Sequence, residues 1–362
     1  MIGILGGGQL GRMLALAGHA LGESFRVLDP SEDATAGVVA EHVHGSYTDQ
    51  KALQEFAHGL KVVTYEFENV PVETTEELEK LTPVYPPPSA LRIAQDRLAE
   101  KSMCRELGIN TPSFLPVDNL DELHTAIETV GLPAVLKTRR LGYDGKGQTV
   151  IHSASEVPDA WTSLGKTGLI LESFVPFDRE LSIIAVRNRK GECQFYPLIQ
   201  NHHSHGILRV SIAPAPNLSP AIEKRAEEIA RAVLERLHYV GTLAIELFDV
   251  KGELLVNELA PRVHNTGHWT IEGAETSQFE NHLRAILGLP LGSTSLVAPS
   301  TMVNLIGKIP PIEEVLSVPG VHVHLYGKEP RPGRKVGHVT IRQTKEIDYA
   351  DAVRKVRSWA NE

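Results

Sequence analysis

Hydrophobic residues open this chain in a short run, and the pattern then alternates between strand and helix. Residues 2–5 predict a buried strand, residues 12–21 an amphipathic helix, and residues 25–29 a second strand that ends on an aspartate. Another apolar run, at residues 61–70, predicts a strand whose polar end carries glutamates. This alternation predicts an α/β sheet unit at residues 1–90, which a stiff run of three prolines closes.

The next part of the chain predicts one helix followed by a smaller unit. Residues 89–107 carry apolar side chains four residues apart and predict a single helix with Arg97 and Lys101 on its polar flank, for which a solvated helix face is the favoured alternative. Residues 111–173 form the smaller unit, in which a strand bearing Lys137 leads into a glycine-rich loop at residues 142–148. The loop joins two strands and lacks P-loop spacing, so it predicts a hairpin flap over a nucleotide. A mobile surface hairpin is the ordinary alternative.

Two glutamates stand in apolar strands within residues 241–260. Burial of Glu246 and Glu258 would be costly unless a cation compensated them. A two-residue hairpin loop at residues 251–252 would turn them to opposite faces, because paired residue numbers sum to a constant. We therefore predict a three-residue loop, or an equivalent bulge, that returns both carboxylates to one face, where they would suit Mg²⁺. From spacing alone, a hairpin with two solvent-exposed glutamates is as well supported as a metal site.

Composition excludes several classes of protein. The 362 residues, 42% of them hydrophobic, suffice for two or three domains. A net charge of −9 provides no basic stripe for nucleic acid. Two cysteines cannot build a disulfide framework or a thiolate metal site. Without a basic leader or an apolar run of about 18 residues, the chain is expected to be cytoplasmic and to have no membrane partner.

The N-terminal turn contains a dinucleotide-binding pattern. Gly6, Gly8 and Gly11 make a G-x-G-x-x-G between a predicted strand and a predicted helix. Glycines let backbone N–H groups approach any anion at a helix N-terminus, so the motif indicates phosphate and indicates NAD only weakly. An oxidoreductase or a regulatory nucleotide-binding protein remains an alternative, in which the paired glutamates and Lys137 would have no role.

Two further features are typical of nucleotide contacts. A predicted strand ends at Glu172, and the backbone of the following turn, residues 173–175, could bind the edge of an adenine. Histidines cluster at residues 202–205, but no cysteine or carboxylate stands at ligand spacing nearby, which disfavours zinc. Contact of a single histidine with nucleotide is the better interpretation.

Five motifs in a fixed order, from Ile2 to about Ile341, add a resemblance to a known family. They read GILGGGQLGRML, YDGKGQ, GILRVS, NELAPRVHNTGH and RPGRKVGHVTI. Together they resemble the N5-carboxyaminoimidazole ribonucleotide synthetases, a purine-biosynthetic family of ATP-grasp ligases. Collinear motifs over nearly the whole chain are far more specific than a lone G-x-G-x-x-G.

The resemblance implies an α/β (α+β) ATP-grasp fold. A Rossmann-like pre-ATP-grasp domain would occupy residues 1–90, and the ATP-grasp domain residues 91–300, with its lid at about 111–173. A C-terminal segment, residues 301–362, would complete the substrate site. Members usually pair as homodimers, which the resemblance extends to this chain.

The implied reaction is carboxylation of 5-aminoimidazole ribonucleotide by bicarbonate and ATP, through carboxyphosphate, with Mg²⁺ as the cofactor. No biotin is implied, and no methionine of the chain is followed by lysine, as a biotin attachment motif would require. The nearest alternatives are a formate-dependent ribonucleotide transformylase and a biotin carboxylase. The GGGQLG turn and the short tail after Ile341 weigh against both.

The resemblance also assigns residues. The implied ATP site contains Arg97, Lys137, Gly142, Tyr143, Asp144, Gly145, Lys146, Gly147, Gln148, Glu172, Ser173, Phe174, Val175, Glu180, His203, Asn257 and Glu258. The implied ribonucleotide site contains Gln9, Leu10, Glu66, Tyr143, Asp144, Lys335 and Arg342. Glu246 and Glu258 would hold the metal.

The implied catalytic residues are Arg262, His264, Asn265, Asp144 and Lys335. Arg262 would stabilise the transferring phosphoryl group, unless it forms only a structural salt bridge, and His264 with Asn265 would orient bicarbonate. Asp144 would assist proton removal from the substrate amine.

The last two substrate residues raise a question of register. Lys335 and Arg342 lie an odd number of residues apart, so a regular strand would send them to opposite faces. Either Lys335 precedes the strand in a loop, which we favour, or a bulge at Gly337 corrects the register.

Overall fold

The structure, a computed structural model, describes residues 1–142, 145–165, 168–345 and 348–360. Within these ranges the strands form three β-sheets. The first is parallel, the second is a small antiparallel sheet, and the third has nine strands that the rest of the chain supplies. No helix in the described ranges is long and apolar enough to cross a membrane.

The N-terminal sheet has helices on both sides. Its elements are β1 (Ile2–Leu5), α1 (Gln9–His19), β2 (Phe25–Asp29), β3 (Glu41–His44), α2 (Gln50–Ala57), β4 (Val62–Tyr65) and α3 (Val72–Glu79). The strand order is β3-β2-β1-β4. Ile4 and Val27 pack into one core and Leu5 and Val63 into another, so both sheet faces are buried, as parallel strands require. The predicted strands and the alternation are confirmed.

The single helix predicted over residues 89–107 is wrong, because the chain breaks into α4 (Pro88–Ala94) and α5 (Arg97–Glu106). Asp96 adopts an extended conformation and accepts a hydrogen bond from the Leu98 backbone N–H at 3.0 Å. An aspartate inside an apolar repeat can thus act as an N-cap and start a new helix. Arg139 fixes this cap with contacts of 2.7 and 3.0 Å.

The second sheet forms a lid with its own core. Its elements are β5 (Phe114–Val117), α6 (Leu120–Val130), β6 (Ala134–Thr138), β7 (Gln148–Ile151), α7 (Val157–Ser163) and β8 (Leu169–Ser173). The antiparallel order is β5-β8-β6-β7, and α6 packs on it through Leu123 and Ala126. Lys137 pairs with Gln148 at the base of the glycine-rich loop, so the predicted hairpin is confirmed.

The third sheet contains the hairpin that carries Glu246 and Glu258, together with the C-terminal strands. Its elements are β9 (Arg179–Arg187), β10 (Cys193–Phe195), β11 (Ile199–Ser204), β12 (Ile207–Ala213), α8 (Pro220–Arg236), β13 (Gly241–Val250), β14 (Glu253–Ala260), α9 (Thr270–Gly273), α10 (Gln278–Leu287), β15 (Ser300–Ile306), α11 (Ile312–Leu316), β16 (Val321–Leu325), β17 (Lys335–Arg342) and α12 (Tyr349–Trp359). The order is β14-β13-β9-β11-β12-β15-β17-β16, with β10 also beside β9. Helix α8 covers one face through Ile229 and Val233.

Helix α10 joins the first sheet to the third. Phe279 and Leu283 pack into the same core as Ile2 of β1. The buried His282 accepts a hydrogen bond from the Thr242 backbone N–H at 3.0 Å, and its other ring nitrogen lies 2.8 Å from the Thr64 hydroxyl. The end of β4 is thereby held against β13, which carries Glu246.

Candidate active site

The hairpin of β13 and β14 presents both glutamates on one face. Its loop has two residues, Lys251 and Gly252, which both have positive φ, so the predicted three-residue loop is wrong. The alternative of a bulge is confirmed. The register shifts between Glu246 and Leu247, opposite the extra residue Asn257, and Glu246 pairs directly with Glu258.

The two carboxylates have different surroundings. Glu258 accepts a hydrogen bond from Arg97 at 2.9 Å, and although burial raises its pKa, this guanidinium holds the pKa below its usual value. His264 approaches Glu246 at 3.6 Å. Burial, opposed by His203 and reinforced by Glu258, raises the pKa of Glu246. A cation between the carboxylates would therefore relieve a repulsion that the protein leaves in place.

These donors fit magnesium. Among the described residues, no group of three or more histidine, cysteine or acidic side chains converges as an all-protein metal cage. Mg²⁺ is commonly held by one or two carboxylates together with water and substrate phosphates, which is what Glu246 and Glu258 can offer.

Cations gather beside this pair. Lys137 binds one oxygen of Glu172 at 2.9 Å, and Lys101 lies 3.4 Å from the other. Burial, opposed by Glu172, lowers the pKa of Lys137, whereas Lys137 and Lys101 hold the pKa of the buried Glu172 below its usual value. Arg97 lies close enough to act on both. Such a cluster is suited to a polyphosphate.

The predicted adenine turn follows β8 directly. The backbone N–H of Ser173 donates to Ser113 at 2.8 Å, and that of Phe174 donates to Pro133 at 3.3 Å. These bonds fix the turn to the base of the lid, while the Phe174 ring stays 44% exposed. An exposed apolar ring beside fixed backbone suits a flat base that needs both stacking and hydrogen bonds.

Glu180 on β9 and His203 on β11 form the wall of the site that the third sheet supplies, across from the lid. Their side chains bond at 2.8 Å, and although burial lowers the pKa of His203, the contact with Glu180 raises it above its usual value. Glu180 stands two residues from Ser182, the partner of Glu246 across the sheet, so both glutamates share a face.

The lid loop contacts this wall. A β-carbon at Gly145 would lie 3.0 Å from the Gly206 α-carbon in the turn between β11 and β12, and one at Gly142 would lie 3.3 Å from the Arg97 guanidinium. The loop therefore lies over the cleft. Tyr143 and Asp144 lie outside the described residues.

The segment after β14 carries the predicted bicarbonate residues. Arg262 binds Glu68 at 2.9 Å, a salt bridge that reaches the first sheet unit. Gln278 fixes the backbone of His264 on both sides, at 2.9 and 2.6 Å. The buried amide nitrogen and oxygen of Asn265 have no hydrogen-bond partner among the described residues, so a small polar ligand could satisfy both.

The glycine turn binds the protein's own carboxylates. The backbone N–H of Gly7 donates to Asp29 at 2.7 Å, and those of Gly8 and Gly11 donate to Glu66 at 2.8 and 3.2 Å. Burial, opposed by these N–H groups, raises the pKa of Glu66. A dinucleotide pyrophosphate would meet two carboxylates here, which argues against the oxidoreductase alternative.

Lys335 is the first residue of β17, so the favoured loop position is wrong, and the alternative of a bulge is confirmed, with Val336, next to Gly337, as the extra residue. The register shifts between Leu305 and Ile306. Lys335 pairs with Ile306 and Arg342 with Ser300, which puts both on one face. They nevertheless stand at opposite ends of β17, roughly 20 Å apart at ~3.3 Å per residue. The structure therefore brings Lys335 into the site near Glu246 and His264 but does not bring Arg342 beside it.

Comparison with known proteins gives the family. Residues 1–95, 102–279 and 300–351 match the family models described as the ribonucleotide synthetase preATP-grasp domain, the ATP-grasp domain and the phosphoribosylaminoimidazole carboxylase C-terminal domain. The N5-carboxyaminoimidazole ribonucleotide synthase of Pseudomonas aeruginosa is 54% identical over 94% of each chain. The chain belongs to the N5-carboxyaminoimidazole ribonucleotide synthetase family.

Solved structures of the synthetase family share the whole fold. That of the Thermus thermophilus synthetase is 58% identical, covers 100% of this chain and 99% of its own, and superposes with a TM-score of 0.97. The Aspergillus clavatus synthase in complex with ADP and 5-aminoimidazole ribonucleotide is 32% identical, covers 99% and 98%, and has a TM-score of 0.92. The expected ATP-grasp fold is confirmed.

Two residues of the site were not assigned to it from the sequence. Lys101 was placed with Arg97 on a polar helix flank, for which a solvated face was the favoured alternative, yet it is fully buried. Its position four residues from Arg97 was the available signal. Lys328 lies in the loop before β17, donates to the side chain of Gln9, and is near Lys335 and Glu66. Only the fold reveals it, because the two partners are 319 residues apart.

Proposed function

We propose that this chain is an ATP-dependent ligase that carboxylates 5-aminoimidazole ribonucleotide at N5 with bicarbonate, through carboxyphosphate, giving ADP and phosphate. The observation that carries the proposal is the direct pairing of Glu246 with Glu258 beside Arg97, next to the unpartnered Asn265 amide. The ADP and ribonucleotide in the Aspergillus clavatus relative are a product and a substrate of this reaction.

ATP would lie between the lid and the third sheet. The backbone at residues 173–175 would bind adenine, and Arg97 with Lys137 would bind the phosphates. Glu246 and Glu258 would hold Mg²⁺, which neutralises phosphate charge when bound. The lid loop, which contacts the β11–β12 turn, would exclude water from carboxyphosphate, an intermediate that water hydrolyses.

The first chemical step is attack of a bicarbonate oxygen on the γ-phosphorus of ATP. The bond from that phosphorus to the bridging oxygen breaks, and ADP leaves with the electron pair. Arg262 would stabilise the charge on the transferring group, since its guanidinium is anchored by Glu68 and fixed in orientation. Asn265 would bind bicarbonate through its two free polar atoms, and His264 would flank it.

The second step joins the substrate amine to the carbonyl carbon of the activated bicarbonate. Phosphate leaves, and the amine loses a proton, for which we propose Asp144 as the acceptor. Gln9, with Lys328 and Lys335, would bind the ribonucleotide phosphate, since Lys328 donates to the Gln9 side chain and lies near Lys335. Glu66 would meet the ribose. The homodimer remains a prediction of the resemblance, and the cytoplasmic location remains a prediction from the sequence.

The test is ADP formation with each substrate withheld in turn. We expect release of ADP to require Mg²⁺, bicarbonate and the ribonucleotide together. Equal release without the ribonucleotide, or with formate in place of bicarbonate, would favour another ATP-grasp ligase. Tight binding of NADH would instead support the oxidoreductase alternative.

A further inference from the structure

The bulge that aligns the two glutamates depends on helix α5. Strand β14 is the outermost strand of its sheet, so its outward backbone groups need partners other than a neighbouring strand. Two of these groups flank Glu258. The carbonyl of Asn257 accepts a hydrogen bond from the Lys101 ammonium at 3.0 Å, and the N–H of Leu259 donates to the Glu100 carboxylate at 2.9 Å.

One face of α5 therefore contacts Glu258 in three ways. Arg97 binds the carboxylate itself, and Glu100 and Lys101 bind the backbone on either side of it. Positions three and four residues apart lie next to each other on a helix, so these side chains form one continuous surface. Any shift of α5 would move the carboxylate and its backbone together.

This arrangement is expensive in free energy. Lys101 is 0% exposed and Glu100 is 1% exposed, and one oxygen of Glu100 has no hydrogen-bond partner in the part of the chain that the structure describes. Buried charges cost several kcal/mol unless they are paired and hydrogen-bonded, and apolar residues often close such an interface equally well. Stability alone therefore gives no reason for charged residues at these two positions.

Lys101 also connects the β13–β14 hairpin to the ion pair of Glu172 and Lys137. Its ammonium lies 3.4 Å from Glu172, which in turn binds Lys137 at 2.9 Å. A single buried lysine thus contacts both the bulge below Glu258 and the partner of the lid lysine.

We propose that Glu100 and Lys101 are positioning residues that hold the bulge at Asn257 and thereby aim the Glu258 carboxylate at the metal. The proposal rests on the proposed function, in which Glu246 and Glu258 bind Mg²⁺. Both side chains are buried and bond to the backbone of β14. They act through the backbone, so the hydrogen bond to Leu259 matters more than the negative charge of Glu100.

The experiment measures Mn²⁺ binding to the complex of the full chain with ADP, by electron paramagnetic resonance, and binding of metal-free ADP by calorimetry. Glu100→Leu removes the acceptor for Leu259, whereas Glu100→Gln keeps one. We expect Glu100→Leu and Lys101→Met to weaken Mn²⁺ binding by about 10- to 100-fold, as loss of an outer-shell contact does. Glu100→Gln should remain within a few fold of the unaltered protein, and Glu100→Leu should leave metal-free ADP binding little changed.

Matched controls and failures separate the interpretations. Glu106→Gln on the same helix and Lys224→Met on α8 change residues that are 66% and 79% exposed and should have no effect. Unchanged Mn²⁺ binding in Glu100→Leu and Lys101→Met would overturn the proposal, as would equal losses in Glu100→Leu and Glu100→Gln. Normal Mn²⁺ binding in Glu258→Gln would instead refute the metal site itself. If the truncations unfold, Glu100→Asp, one methylene shorter, carries the test, and normal metal binding there would overturn the proposal equally.

Discussion

The junction between the first and third sheets should weaken in mild acid because of His282. Its ring is fully buried between Thr64 and Thr242, and burial lowers its pKa to about 3. The Thr242 N–H donates to Nδ1, so the neutral ring carries its proton on Nε2 and donates to Thr64. A second proton would have to sit on Nδ1, facing an N–H group.

The sign and size of the effect follow from proton uptake. Below pH ~6.5 the unfolded chain protonates this histidine, whereas the folded protein keeps it neutral until the pH approaches 3. The unfolded state thus binds more protons, and the free energy of unfolding falls as the pH falls. At ~1.4 kcal/mol per pH unit, the loss from this residue at pH ~5 is about 2 kcal/mol.

Urea unfolding at about pH 7.5 and about pH 5 measures this loss. His282→Asn keeps an acceptor for Thr242 but cannot titrate, so its stability should fall by about 2 kcal/mol less than that of the unaltered protein over this interval. His124→Asn, at an exposed position on α6, is the matched control and should fall as the unaltered protein does. An equal fall in all three proteins would refute the argument.

Three further predictions concern the site. Glu258→Gln should abolish Mg²⁺-dependent ADP formation and leave urea unfolding intact, and a near-normal rate would remove this residue from the metal. Lys335→Ala should raise the KM for the ribonucleotide far more than the KM for ATP. Lys345→Ala, at an exposed position, should change neither KM. Equal increases in both KM values for Lys335→Ala would refute the phosphate clamp. Gly145→Val should raise the KM for ATP, because Gly145 has a φ of +77° and a β-carbon there would lie 3.0 Å from Gly206. Gly165→Val is the control, since Gly165 has a φ of +89° but open space around it. Comparable effects of the two substitutions on the KM would exclude the lid contact.

The sequence was sufficient for the glutamate pair because side-chain parity in a strand is strict. Glu246 and Glu258 could share a face only if something corrected a two-residue loop. The sequence did not identify which residue makes this correction. Lys251 and Gly252 fit the tight turn, and the correction at Asn257 depends on hydrogen bonds to α5, which lies more than 150 residues earlier.

Buried charge was the main source of error along α5. A helix with Arg97 and Lys101 on one flank looks solvated, because periodicity reports polarity and cannot report that an edge strand covers the flank. Asp96 gave no warning of a helix break for a similar reason, since its capping role is fixed by Arg139 from the lid.

Side-chain parity along a strand predicts which face a residue occupies but not its distance from another residue, as Arg342 illustrates. The bulge beside Lys335 puts both residues on one face of β17, as the shared clamp required. Sharing a face is not proximity, and a strand of this length separates its ends by more than one phosphate can span. Lys328, which lies in a loop and pairs with Gln9 across the chain, follows from the fold alone.

The central claim is that bicarbonate attacks the γ-phosphorus of ATP in this site. Turnover with bicarbonate labelled by a heavy oxygen isotope, followed by mass spectrometry of the released phosphate, tests it directly. Attack through a bicarbonate oxygen predicts one labelled oxygen in each phosphate formed, and only when Mg²⁺ and the ribonucleotide are present. Phosphate that carries oxygen from water alone would contradict the account.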